Sequence, residues 1–422
     1  MRHIINFHEI SRSNIPNYYD YAYVVEAIKQ TLQDQFQLAF KMYTDEETRN
    51  EIWEVLDNDL IEKRDDVHIV AHIFDSIETS TISSNHSQSL DLIVKPRVIN
   101  TLYYYPEFQV ALAQIPIFQN HSEMNHDFIF GTSDENVLLF LQYILKRKRE
   151  YTKNNVTIFT DTEDGVENST EKISSMVTRE EVFLEEKMKK EIYRSIDEFF
   201  NESGSFFKQY HIPYKRGILL YGKPGNGKTT LVKSIANSIS APVAYWQITE
   251  YTSSYSIREV FSTAAKLAPM VLVIEDIDSM PEHVRSVFLN TLDGATSKEG
   301  IFLIGTTNYP DKIDPALINR AGRFDRAYEI HLPTPELRHQ YLLRKEIDQF
   351  IHAEDLERVI QSTNDFSFAQ LNELYTSIAL QWHYEHKVDV DALCKQLRSD
   401  NKRAANQSWE SKLNSQTVGF RF

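Results

Sequence analysis

The stretch GILLYGKPGNGKTTLVKSI, residues 217–235, decides how the second half of this chain is read. Four apolar positions, Ile218 to Tyr221, predict a short buried strand. TTLVKSIANSI has the spacing of a helix. Between them Gly222, Gly225, Gly227, Lys228 and Thr229 fit the pattern G-x-x-x-x-G-K-[ST] in the strand-to-helix context that it requires. Glycines let a backbone turn tightly enough to point successive N–H groups at phosphate oxygens. The helix adds the positive end of its dipole. Lys228 supplies a point charge to the outer phosphates, and the Thr229 hydroxyl a ligand for Mg²⁺. Gly222, Pro224, Gly225, Asn226, Gly227, Lys228, Thr229 and Thr230 are therefore the expected nucleotide-binding residues.

Some 45 residues further on, VLVIEDIDSM (271–280) runs four aliphatic residues into Glu275, Asp276 and Asp278. Carboxylates at the carboxyl end of a buried strand face the crevice where α/β sheets bind ligands. One suits Mg²⁺ and another suits polarising a water. Asp278 has a second reading as the cap of the next helix. Aliphatic strands alternate with helical patterns from about 180 to 308, which predicts a parallel sheet covered on both faces. IFLIGTTN (301–308) ends in Asn308, a neutral amide able to position a water without taking its proton.

GKPGNGKTT, VLVIEDID, GTTN and DPALINRAGRFDR occur in the order and spacing of the AAA ATPases, and residues 180–375 resemble that family. The resemblance implies ATP hydrolysis with Mg²⁺ in a ring of identical subunits, most often a hexamer. Most members read Asp-Glu where this chain reads Glu275-Asp276. By position Glu275 takes the metal role and Asp276 the base role, with a base shorter by one methylene. The inverted pair, with IPYKRGILLYGKPG, FLNTLDG and DFSFAQL, is similar to the mitochondrial AAA ATPases that translocate the folded Rieske protein. The matching arginines in the family, here Arg320 and Arg323, reach a neighbouring subunit's nucleotide. The local alternative is a salt bridge to Asp314 or Asp325. The loop after PVAYWQIT lacks the aromatic-hydrophobic-Gly motif of threading relatives and offers Tyr251 and Tyr255 as gripping residues.

The rest of the chain sets limits. A formal charge of -16 over 422 residues disfavours bulk attraction to nucleic acid. A single cysteine, Cys394, fits a reducing, cytoplasmic setting. No apolar run of the roughly 18 residues needed to span a membrane occurs. We expect an α+β client- or adaptor-binding domain over 1–175, the α/β ATPase part over 176–332, a small helical lid over 333–398 and a polar tail from 399. SIETSTISSNHSQS (76–89) reads as a loop, and 151–175 as one short strand and a polar linker. TLYYYPEF (101–108) reads as core rather than contact surface. KRKR (146–149) reads as basic residues suited to a helix C-terminus. The expected activity is ATP-driven remodelling, chaperoning or translocation of protein clients. The rivals are a nucleic-acid motor or loader and an ATP-controlled assembly switch with little turnover.

Overall fold

Alternation along the central strands shows how the second half of the chain buries itself. In the computed structural model, Ile218 and Leu220, Val271 and Val273, and Phe302 and Ile304 point into one core layer. Leu219, Leu272, Ile274, Ile301 and Leu303 point into another. Strands buried on both faces need continuous aliphatic runs, and the sequence supplies them. The structure describes residues 3–5, 17–45, 48–62, 64–85, 91–119, 122–153, 155–172, 177–201, 204–293, 299–317 and 323–405.

Two compact units divide the chain, 1–155 and 156–422. The first contains β1 (His3–Ile5), α1 (Asn17–Phe36), β2 (Lys41–Tyr43), α2 (Arg49–Ile61), β3 (His68–Phe74), β4 (Ser80–Asn85), β5 (Asp91–Pro96), β6 (Thr101–Tyr105), β7 (Val110–Gln119), β8 (Ser122–Gly131) and α3 (Asp134–Thr152). Six strands form a sheet in the order β1-β3-β6-β7-β8-β2. Leu102 and Tyr104 of β6 face α1, whereas Tyr103 and Tyr105 face α2 and α3, so the aromatic run is core. Strand β4 lies inside the expected loop and pairs antiparallel with β5, Ile82 opposite Val94. Arg147 of the basic run is buried. Its Nη2 donates to Asp59 Oδ1 at 2.9 Å and to Glu62 Oε2 at 2.8 Å, tying α3 to α2 and its C-terminal turn. A buried guanidinium needs such partners.

The second unit begins twenty residues before the expected boundary at 175, because β9 (Asn155–Thr162) and β10 (Gly165–Lys172) belong to its sheet. Then follow α4 (Glu186–Phe200), α5 (Ser205–Gln209), β11 (Lys215–Tyr221), α6 (Lys228–Ser238), β12 (Val243–Gln247), α7 (Ser254–Leu267), β13 (Met270–Glu275), α8 (Glu282–Asp293), β14 (Ile301–Thr307) and β15 (Arg326–Glu329). The seven-stranded sheet has the order β10-β9-β12-β13-β14-β11-β15, and every pairing from β9 to β15 is parallel. Helices α4 and α6 cover one face, α7 and α8 the other. Parallel pairing brings the ends of β11, β13 and β14 to one edge, with Tyr221 opposite Thr307 and Ile274 opposite Gly305.

Helices α9 (Pro335–Arg344), α10 (Ala353–Ser362), α11 (Phe368–Glu385) and α12 (Val390–Ala405) form a bundle around Leu342, Val359, Leu374 and Ile378. Helix α12 runs past the expected lid end at 398. None of the described helices is long and apolar enough to cross a membrane.

Candidate functional site

The loop between β11 and α6 keeps its shape because three glycines adopt positive φ: +143° at Gly222, +79° at Gly225 and +91° at Gly227. Those are left-handed conformations that glycine takes without a Cβ penalty. At Gly222 a Cβ would stand 2.3 Å from the Ile330 carbonyl oxygen. The Asn226 amide donates to that same carbonyl at 3.1 Å, and the Ile330 N–H donates to the Tyr221 carbonyl at 2.7 Å. Gly222 and Asn226, expected at the nucleotide, thus brace the loop from behind. Pro224, Gly225, Gly227, Lys228, Thr229 and Thr230 line a cleft of about 520 Å³ together with Glu275, Asp276, Thr306 and Asn308.

Lys228 opens α6. Its Nζ donates to the carbonyls of Gly222 at 2.7 Å and Lys223 at 3.1 Å, and to Asn308 Oδ1 at 2.8 Å. Burial lowers its pKa, and the charges of Asp276 and Asp278 oppose that shift. The Asn308 amide donates onward to Asp276 Oδ1 at 3.4 Å. Lys228, Asn308 and Asp276 form a single hydrogen-bonded chain. Asp276 has φ +48°, a left-handed turn that carries its side chain off the strand. Glu275 ends the strand itself. Burial pushes its carboxyl up, Asp276 adds to this, and Lys233 opposes it. Asp278 does not line this cleft. It accepts from Thr307 Oγ1 at 2.6 Å and fastens the acid turn to β14.

The donor set suits a hard divalent cation. The exposed Thr229 hydroxyl and the Glu275 carboxylate are both oxygen ligands on the cleft wall. Mg²⁺ is held by one or two such protein groups together with substrate phosphates.

Sequence reasoning missed the opposite wall. Glu181, Val182, Phe183, Tyr341, Phe368, Ala369 and Asn372 line it. Three aromatic rings meet there: Phe183 and Tyr341 at 5.4 Å between centroids, Tyr341 and Phe368 at 5.1 Å, Phe183 and Phe368 at 6.0 Å. Such an apolar wall opposite a phosphate cradle fits a planar base. DFSFAQL carried this information, because Ser367 caps α11 and places Phe368 and Ala369 in its first turn. The Ala369 N–H donates to the Gly225 carbonyl at 3.1 Å. A Cβ on Gly225 would stand 2.8 Å from the Ala369 Cβ and 2.9 Å from Ser367 Oγ. Gly225→Ala should therefore strain the loop and push the bundle away, at a cost of about 1–3 kcal/mol. Nucleotide titration should show affinity reduced about tenfold or more. Unchanged affinity would mean that this contact is not part of the binding geometry.

The two expected arginines part company. Arg320 lies outside the described residues. Arg323 is 3% exposed. Its Nε donates to Asp293 Oδ1 at 2.8 Å, its Nη2 reaches Asp293 Oδ2, and its Nη1 the Ala316 carbonyl. The local alternative is what the structure contains, with Asp293 as partner rather than Asp314 or Asp325. Within this chain the guanidinium ties β15's approach to the end of α8.

Residues 218–332 match the family described as "ATPase family associated with various cellular activities (AAA)". The chain is 32% identical over 244 residues to the ATP-dependent zinc metalloprotease FtsH of Aquifex aeolicus, covering 48% of this chain and 37% of that protein. It is 34% identical over 192 residues to the cell division cycle protein 48 homolog of Archaeoglobus fulgidus, covering 41% and 26%. It is 26% identical over 309 residues to a putative cell division cycle ATPase of Plasmodium falciparum, covering 69% and 23%. The chain thus spans well under half the length of these relatives.

Proposed function

We propose that this chain, which carries an AAA ATPase module at residues 218–332, hydrolyses ATP and couples the hydrolysis to remodelling of protein clients in a ring of identical subunits. The hydrogen-bonded chain Lys228–Asn308–Asp276, facing an aromatic wall across one cleft, carries this reading. The wall takes the base, and the N–H groups of the glycine loop take the phosphates. Lys228 Nζ exchanges two backbone carbonyls for phosphate oxygens, which match its charge better. Asn308, freed from Lys228, orients a water. Asp276 accepts that water's proton as its oxygen attacks the terminal phosphorus, and ADP leaves with the bond electrons. Mg²⁺ held by Thr229 and Glu275 with the nucleotide would neutralise phosphate charge.

The ring reading rests on Arg320. Of the two arginines that match the family's inter-subunit positions, Arg323 bonds Asp293 within this chain, and we assign the inter-subunit role to Arg320. Such a residue raises turnover by about 10³–10⁵ in nucleotide hydrolases. The Glu-Asp order supports kinship with the branch that handles folded cargo. The exposed Tyr251 and Tyr255 offer a surface to protein segments. Phosphate release per subunit should rise steeply with protein concentration, and Arg320→Ala should flatten the rise while leaving nucleotide affinity within about twofold. A rate per subunit that is constant down to the solitary molecule would overturn the ring.

A further inference from the structure

Asp161 lies near the end of β9, and it is 2% exposed. Among the described residues no cation pairs with it. Its Oδ2 accepts from Trp246 Nε1 at 3.0 Å and from Thr252 Oγ1, and its carbonyl accepts from Thr249 Oγ1 at 2.8 Å. The turn closes on itself around these anchors. The Thr249 N–H donates to Thr252 Oγ1 and the Tyr251 N–H to Thr249 Oγ1, both at 3.1 Å. Ser253 and Ser256 then cap each other's backbone at the start of α7. Between these ties Tyr251 is 49% exposed and Tyr255 68%. Behind them, Val166 of β10 packs on the core layer that holds Ile257, Val260 and Phe261 of α7.

Withdrawing a carboxylate from water without a counter-charge is costly, and burial raises its pKa while the Thr252, Trp246 and Ser256 donors lower it. An apolar side chain would fill the place more cheaply. The acid is explained by what it holds, the loop that leaves β12 with Ile248 packed in the core beneath it. The β9–β10 hairpin lies outside the matched stretch 218–332.

We propose that Asp161 is a positioning residue for the Tyr251/Tyr255 loop, and that the β9–β10 hairpin is the rear support that makes the two tyrosines a rigid contact for extended protein segments. This rests on the client-facing reading of those tyrosines, and the test separates the two.

Full-length wild type, Asp161→Ala, Asp161→Asn and Thr252→Val are compared by hydrogen exchange over 248–255, and by ATPase stimulation with reduced, carboxymethylated α-lactalbumin as the unfolded probe. In Asp161→Ala and Thr252→Val, exchange over 248–255 should quicken about tenfold while α6 and β13 keep their protection. Unstimulated kcat and the KM for ATP should stay within about twofold, and the probe concentration for half-maximal stimulation should rise about fivefold. Asp161→Asn keeps one oxygen acceptor for Trp246 and Thr252 and should restore both readouts. Unchanged exchange in both disrupting variants overturns the tie. Faster exchange with unmoved half-saturation overturns the positioning role. A wild type that the probe does not stimulate defeats the client reading, while exchange still judges the tie. Should Asp161→Ala fail to fold, the near-isosteric Thr252→Val decides.

Discussion

Lys228→Ala is expected to weaken ATP binding about a hundredfold or more, because hydrogen bonds to charged groups contribute roughly 1.5–3 kcal/mol each and this ammonium serves more than one phosphate oxygen. Its side chain is mostly buried, so no other cation takes its place from bulk water. The substitution also removes the donor that holds the Gly222 and Lys223 carbonyls and Asn308. Some loss of loop order should accompany the loss of affinity. Titration with a fluorescent nucleotide, set beside a thermal melt, separates the two. An intact melt with lost binding is the expected outcome. A variant that binds ATP as the wild type does would remove Lys228 from the site.

Asp276→Asn should bind ATP with near-normal affinity and lose turnover by about 10²–10⁴, the usual contribution of a general base. Asparagine tolerates the left-handed φ of +48°, so the backbone should survive the change. Its amide can still meet Asn308, but it cannot accept the proton. Glu275→Gln should act differently. It weakens a metal ligand, so the Mg²⁺ concentration for half-maximal activity should climb, with partial recovery at high Mg²⁺. Initial rates across a Mg²⁺ series distinguish the two variants. If Glu275→Gln halts turnover at every Mg²⁺ concentration while Asp276→Asn stays active, the roles of the two acids are exchanged.

What could be read before folding divides along physical lines. The phosphate loop and the strands beside it were legible because their constraints are local: left-handed glycines, double-sided aliphatic strands, acids at a strand end. The wall of Phe183, Tyr341 and Phe368 was not, because it assembles from three segments distant in sequence. The burial of Arg323 depends on Asp293, thirty residues away, and no spacing rule predicts that pairing. The hairpin β9–β10 was misplaced because β10, GVENSTEK, is an edge strand, where polar residues are tolerated and the apolar pattern fades. The Ser/Thr-rich β4 hid in the same way, since among the described residues it pairs only with β5. Asn226 occupies a motif position open to any residue. Its inward turn toward Ile330 follows from the return of β15 beside β11.

The phosphate loop is grasped at two points. Asn226 and Gly222 rest on Ile330, at the exit of β15 just before the helical bundle begins, and Gly225 carries the first turn of α11 through Ala369. One hold belongs to the edge of the sheet and the other to the helical bundle, so the loop bridges the two. A bound nucleotide that reshapes the loop should load both contacts at once.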